Sequence, residues 1–266
     1  MLWDRYGSAL LSAYITSALT TRRNNDKVDD NVKAISSSSP LSSRLQSIYK
    51  RGNNNDDATL FTVVELGSGA VGMAGLCLAW SLKHYAAART RARIILTDYE
   101  PHVLRQLQRN VDQNAHLWRS SLAATTTCDE DATKTNNVNV DVKFLDWGRP
   151  PADWHDYLGL SNRNDTIDLI VGSELVYTPE NAAACRDCVL SLTARFPTAL
   201  VCIIQIVDRP GWANIFVPGL REVAGLYVRE ESVDVDCDAA ASVMMKRGGS
   251  LDRFDFGICY ISRKEF

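Results

Sequence analysis

Four points in the chain place polar or aromatic residues directly after a short apolar run. Val63-Val64 leads into Glu65-Leu66-Gly67-Ser68-Gly69, and Ile94-Ile95-Leu96-Thr97 ends on Asp98. A third run ends on Asp146-Trp147-Gly148, and Leu169-Ile170-Val171-Gly172 is followed by Ser173, Glu174 and, three residues on, Tyr177. Glycines after a strand let the backbone turn tightly and come close to a ligand, and a helix that starts there presents free N–H groups. An aspartate ending the next strand can accept hydrogen bonds from both hydroxyls of a ribose. An acid beside an indole suits the amino group and the flat face of an adenine. Together the four points fit a ligand that contains adenosine. Two classes of such ligand stay open on these residues. Gly67 to Gly72, "GSGAVG", satisfies the G-x-G-x-x-G pattern of a dinucleotide fold. Glu65, an acid just before the glycines, fits S-adenosylmethionine, which has no pyrophosphate to seat.

Such residues can meet only if the runs that carry them lie side by side. The chain alternates accordingly. Strands are expected at Phe61–Leu66, Ala92–Asp98, Val138–Asp146, Thr166–Glu174 and Thr198–Val207. Helices are expected at about Val71–Ala87, Glu100–Ala115, from Pro179 onward and near Trp212–Gly225, with Pro179 at a first helical turn. Two last strands are expected near Tyr227–Val235 and Phe254–Ser262. Strands alternating with helices imply βαβ crossovers, and the two final strands pair antiparallel. The fold class is therefore α/β: a doubly wound, mainly parallel sheet with a C-terminal antiparallel hairpin. In such a sheet ligands bind at the carboxyl ends of the strands, where the winding reverses. The four polar points all fall there.

The remaining segments bound the picture. Residues 1–20 place Trp3, Tyr6, Leu10, Leu11, Tyr14, Ile15 and Ala18 at helical spacing, which favours a helix packed on the domain over an arginine- and serine-bearing presequence. Residues 21–60 carry four consecutive serines and runs of asparagine, a composition expected to stay disordered. Residues 61–266 form the main domain, with a polar surface loop over Ser120–Asn137.

A net charge of −3 gives no reason to expect nucleic acid or an anionic membrane as partner. No apolar run approaches the roughly 20 residues needed to span a bilayer. The seven cysteines are scattered, several within apolar runs, which suits reduced thiols and a cytoplasmic protein, with the nucleus as a second location. Cys185 and Cys188 form a lone C-x-x-C inside a helical segment, and His84, His102, His116 and His155 lack metal-ligand spacing, so no metal site is expected.

The segments "VVELGSG", "IILTDYEP", "FLDWG" and "DLIVGSELVYTPE", in this order and spacing, resemble the seven-β-strand protein-lysine methyltransferases that carry an Asp/Glu-x-x-Tyr motif. The opening "LWDRYGSALLSAYI" is similar to that family's helix ahead of the domain, and "VDRPGWANIFVPGLREVAGL" to its arginine and amphipathic helix after the fifth strand. The resemblance implies a Rossmann-like seven-stranded sheet, S-adenosylmethionine as cofactor and a protein substrate; a monomer with no nucleic acid or membrane partner is the accompanying expectation. It also implies residue roles. Gly67, Ser68 and Gly69, with Glu65 before them, would hold the methionyl end of the cofactor. Asp98 would take the ribose, Asp146 and Trp147 the adenine, and Ser173 would contact the cofactor through its backbone. Trp3 would close the pocket. Glu174 and Tyr177 would supply the motif at the mouth where an amine meets the methyl group. The turn "ELGSGAVGMAG" is two residues shorter than the family's usual one, and the third glycine has no counterpart there. A small-molecule N-methyltransferase and a catalytically inactive scaffold are the alternatives.

Overall fold

A computed structural model describes residues 8, 9, 11–13, 15, 39–53, 60–85, 91–119, 137–160, 165–233 and 255–266. In chain order the elements are α1 (Pro40–Asn53), β1 (Leu60–Leu66), α2 (Met73–Tyr85), β2 (Arg91–Asp98), α3 (Pro101–Asn114), β3 (Asn137–Phe144), α4 (Trp154–Leu158), β4 (Leu169–Ser173), α5 (Pro179–Arg195) and β5 (Leu200–Ile206). A π-helical turn (Trp212–Phe216), α6 (Val217–Arg221), β6 (Tyr227–Val233) and β7 (Phe256–Ser262) follow.

The seven strands form one sheet in the order β3-β2-β1-β4-β5-β7-β6. β7 runs antiparallel to both neighbours, and every other pairing is parallel. This is the expected doubly wound sheet with its closing hairpin. β1, β4 and β5 are buried along nearly their whole length, as strands covered on both faces must be. One face carries α2 and α3 through Leu78, Leu82, Leu107 and Val111. The other carries α4, α5 and α6 through Trp154, Val189, Leu192 and Leu220. The winding reverses between β1 and β4, so Leu66 lies beside Gly172 and Asp98 beside Phe144 along one edge.

Residues Ser8, Ala9, Leu11–Ala13 and Ile15 are helical, and Leu11 and Ile15 are fully buried in the α2/α3 face. The disorder expected across 21–60 does not hold over α1. Ser39 caps this helix, its Oγ accepting from Ser42 N at 3.1 Å, and Pro40 occupies a first-turn position where no N–H is needed. Leu41 and Leu45, one turn apart, are buried against the sheet, and Arg44 donates to the Thr198 carbonyl just before β5. Two leucines in a serine-rich context give little apolar area until the sheet is there to cover them. Residues 21–38 and 54–59 lie outside the described residues, as does most of the loop expected at Ser120–Asn137. Leu45→Ala should lower the unfolding free energy by about 2 kcal/mol in urea titration. A change below about 0.5 kcal/mol, the range of surface substitutions, would place α1 off the core.

The helix expected near Trp212–Gly225 is interrupted. Pro218 cannot donate a backbone N–H, and the preceding turn widens to the π form before α6 resumes. Cys185 and Cys188 both lie on the buried side of α5, where burial pushes their thiols up, Cys188 to about 12, so they pack as protonated apolar groups. No described helix is long and apolar enough to cross a membrane.

Candidate active site

The turn after β1 holds three glycines with left-handed φ: Gly67 at +59°, Gly69 at +60° and Gly72 at +61°. They answer different needs. A Cβ on Gly67 would lie 2.9 Å from Leu175 Cδ2 and 3.1 Å from Trp147 Cζ2, and one on Gly72 would lie 2.5 Å from Leu107 Cδ1. A Cβ on Gly69 would meet nothing within 4 Å. Gly69 is thus bare backbone bordering open space at the switch point. The short turn closes on itself, Gly72 N–H donating to the Ser68 carbonyl at 3.0 Å, and Gly72 supplies a third left-handed glycine despite the missing residues.

Ser68 is buried and serves the framework. Its amide donates to the Thr97 carbonyl at 2.8 Å, and its Oγ accepts from Thr97 N at 3.1 Å, tying the end of β1 to that of β2. Glu65 is also buried, beneath the first turn of α2, where its Oε2 accepts the Gly75 N–H at 2.8 Å. Burial pushes this carboxyl up to about 8, against the opposing pull of the Gly75 and Ser68 hydrogen bonds. An amide that a dinucleotide fold offers to phosphate is here taken by the protein's own carboxyl.

Asp98 is fixed by three backbone donors. Oδ2 accepts from Gly69 N at 3.0 Å, and Oδ1 accepts from Tyr99 N at 2.8 Å and Glu100 N at 3.1 Å. The bond to Gly69 joins the glycine turn to the acid after β2. Tyr99, absent from the sequence-based site, is 59% exposed, and its phenol is pushed up by the carboxylates of Glu100, Asp98 and Asp146 around it. An aromatic directly after a strand-ending acid was the available signal. Asp146 Oδ1 accepts from Gly148 N at 2.9 Å and shapes the turn that carries Trp147, whose ring abuts Gly67.

Ser173, at the end of β4, shares a 2.6 Å hydrogen bond with the hydroxyl of Ser8. Ser12 Oγ donates to the Ser8 carbonyl at 2.7 Å and reaches the Met73 carbonyl at 3.4 Å. Ser8, Leu11, Ser12 and Ile15 share one helical face, which brings the N-terminal helix across the mouth between β4 and α2. Trp3 lies outside the described residues.

Glu174 departs from its expected position. It adopts a left-handed φ of +52°, and its side chain, 1% exposed, turns inward. Oε1 accepts from Ile206 N at 3.0 Å and Oε2 from Arg209 Nη2 at 2.8 Å. Both oxygens are engaged within the protein, so the carboxylate does not stand at the mouth. Tyr177 does, at 43% exposed, and the Arg209 guanidinium carbon sits 4.3 Å from its ring centroid. Arg209 therefore joins the two motif residues. Buried Gln205 holds the strand end between them, accepting from Val176 N at 3.0 Å and donating to the Val176 carbonyl at 3.2 Å.

The model of a family described as lysine methyltransferase matches residues 7–210. Among solved structures the chain is similar to the METTL16 MTase domain, at 11% identity and a TM-score of 0.45 over 83% of this chain and 66% of that one. It is also similar to the N-terminal domain of human METTL16 in complex with SAH, at 12% and 0.45 over 83% and 68%. A methyltransferase from Pyrococcus furiosus matches at 12% and 0.44 over 83% of each chain. The chain thus spans just under two thirds of the first of these structures. No curated protein sequence matches it.

Proposed function

The chain belongs to the lysine methyltransferase family, whose methyl donor is S-adenosylmethionine, and from that premise we propose that it methylates the ε-amine of a lysine in a protein substrate. The observation that carries the donor site is the Gly69–Asp98 hydrogen bond at the switch point, beside backbone that borders open space, while the lysine acceptor follows from the family whose model matches residues 7–210. The residues there fit the donor. The Gly67–Gly69 turn would lie against its methionyl end, and Asp98, oriented by three backbone donors, keeps a lone pair on Oδ2 for a ribose hydroxyl. Tyr99, Asp146 and Trp147 would border the adenine. The Ser173 backbone, the Ser8 helix and Trp3 would cover the site. Ser68 and Glu65 act from beneath, holding the turn and the first turn of α2.

When bound, S-adenosylmethionine supplies an activated methyl group on a good leaving group. The protein's work is then alignment and exclusion of water. Tyr177 walls the approach of the amine. A lysine has an ordinary pKa of about 10.4 and must arrive neutral; leaving water for the site favours that form and sends its proton to solvent. No residue need act as base, and Glu174, spent on Arg209 and Ile206, is not one. The free thiols among the described residues support a reducing compartment, and the cytoplasm is the one we propose.

Incubating the purified chain with methyl-labelled S-adenosylmethionine and cell lysate tests the reading. Label is expected in the protein fraction, released on hydrolysis as methyllysine. Label confined to small molecules would support the N-methyltransferase alternative instead. A folded chain that binds no cofactor by calorimetry would make it a scaffold.

A further inference from the structure

Several features at the mouth have no part in holding the donor. Glu174 keeps a left-handed backbone, costly for a non-glycine residue, and such strain persists only where the surroundings enforce it. Here the enforcing contacts are the Ile206 amide and the Arg209 guanidinium. Arg209 in turn lies on the Tyr177 ring, while its buried Nε has no hydrogen-bond partner among the described residues. The guanidinium thus forgoes a hydrogen bond where it stacks, an arrangement that favours cation–π contact over full hydrogen bonding. The backbone behind it is equally constrained. A Cβ on Gly211 would lie 2.8 Å from the Thr178 carbonyl, so the segment after Arg209 presses directly on the segment that carries Tyr177. Trp212 N and Ala213 N both donate to the Arg209 carbonyl, at 2.9 and 3.0 Å. Neither loop has room to slide past the other.

We propose that Arg209 is a positioning residue for the methyl acceptor: held by Glu174, its guanidinium fixes the plane of the Tyr177 ring and thereby limits how many methyl groups an amine at that ring can carry. The inference rests on the lysine reading above. A ring pinned on one face keeps a constant distance to whatever passes its exposed side. Each added methyl widens the amine, so a wall that cannot yield stops the sequence early. A ring released from Arg209 can swing aside and admit the bulkier product. Glu174 has a second effect, since its charge offsets that of Arg209 and spares an approaching ammonium the repulsion of an unpaired cation.

The test compares wild type, Arg209→Lys, Tyr177→Ala and the double variant. Arg209→Lys keeps the ion pair with Glu174 but loses the flat stacking surface. S-adenosylmethionine affinity, read by calorimetry, is expected to stay within about twofold, because Arg209 touches no donor-binding residue named above. Turnover on the lysate protein fraction is expected to fall about tenfold through misplacement of the acceptor. The di- and trimethyllysine share of the labelled product is expected to rise. In the Tyr177→Ala background, Arg209→Lys should change that share no further, which a merely structural arginine would not produce. Spectra of tyrosine-labelled protein should show the Tyr177 ring signal move in Arg209→Lys. An unchanged ring signal, an unchanged methylation degree, or equal effects with and without Tyr177 would each overturn the proposal. Arg209→Met serves if the lysine variant does not fold; loss of folding in both would make Arg209 structural and also overturn it. A wild type that labels no lysine would instead bring down the lysine reading, and the proposal with it.

Discussion

Asp98→Ala is expected to weaken S-adenosylmethionine binding by about a hundredfold while leaving the protein folded, since two charge-assisted hydrogen bonds of about 1.5–3 kcal/mol each are at stake, one to a ribose hydroxyl and one from the Gly69 N–H. The carboxylate has two tasks. Its Oδ2 offers a remaining lone pair where a ribose hydroxyl would lie, and the same oxygen holds the glycine turn through Gly69 N at 3.0 Å. Alanine removes both, so the turn loses its anchor as well as the ligand losing its acceptor. Asp98→Asn separates the tasks. One amide oxygen can still accept from Tyr99 N and Glu100 N, as Oδ1 does now. Its NH2, however, faces the Gly69 N–H, donor against donor. The asparagine variant should therefore bind the cofactor more weakly than wild type and more tightly than the alanine variant. Calorimetry on all three, with unfolding transitions as the folding control, decides it. An affinity within threefold of wild type in the alanine variant would mean that the cofactor lies elsewhere.

How much of this was legible in the sequence depended on how local the signal was. β1, β2, β4 and β5 are runs of branched apolar residues broken by glycine or acid, and in a parallel sheet such runs have nowhere to lie but the middle. Their carboxyl ends followed at once, and with them the placement of Gly67, Gly69, Asp98 and Trp147 along one edge of the sheet. What could not be read was the direction of a side chain set by tertiary contact. Glu174 turns inward because one residue adopts φ +52°, and nothing in "GSELVY" announces a left-handed glutamate. Arg209 meets Tyr177 across 32 positions, a pairing that no short spacing encodes. Ser68 looked like a ligand contact by position, yet its hydroxyl is used by Thr97. α1 was hidden for a compositional reason. Its anchors Leu41 and Leu45 stand among serines and polar residues, and only the sheet makes their burial favourable.

Glu65 makes stability depend on pH in a direction opposite to that of most carboxylates. Burial holds its carboxyl protonated in the folded chain up to about 8, against a reference value of 4.5. Below pH 4.5 the folded and unfolded states both carry the proton, and Glu65 contributes no pH dependence. Between 4.5 and 8 the unfolded chain has released it while the folded chain still holds it. The unfolded state then binds fewer protons, and stability falls as pH rises through this window, by at most about 1.4 kcal/mol per pH unit. Above 8 both states are ionised and the loss stops growing. Glu65→Gln keeps an oxygen to accept the Gly75 N–H and cannot ionise, so its stability should lack this fall. Urea unfolding of both proteins at pH 5 and pH 8 is the measurement. Relative to the glutamine variant, wild type is expected to lose about 3 kcal/mol between the two, as the linkage slope requires. Parallel stability profiles would mean that Glu65 is already ionised at pH 5 in the folded protein. Its charge would then be stabilised from within α2, the helix whose Gly75 amide it already holds, and that helix terminus would carry more of the site's electrostatics than the buried acid does.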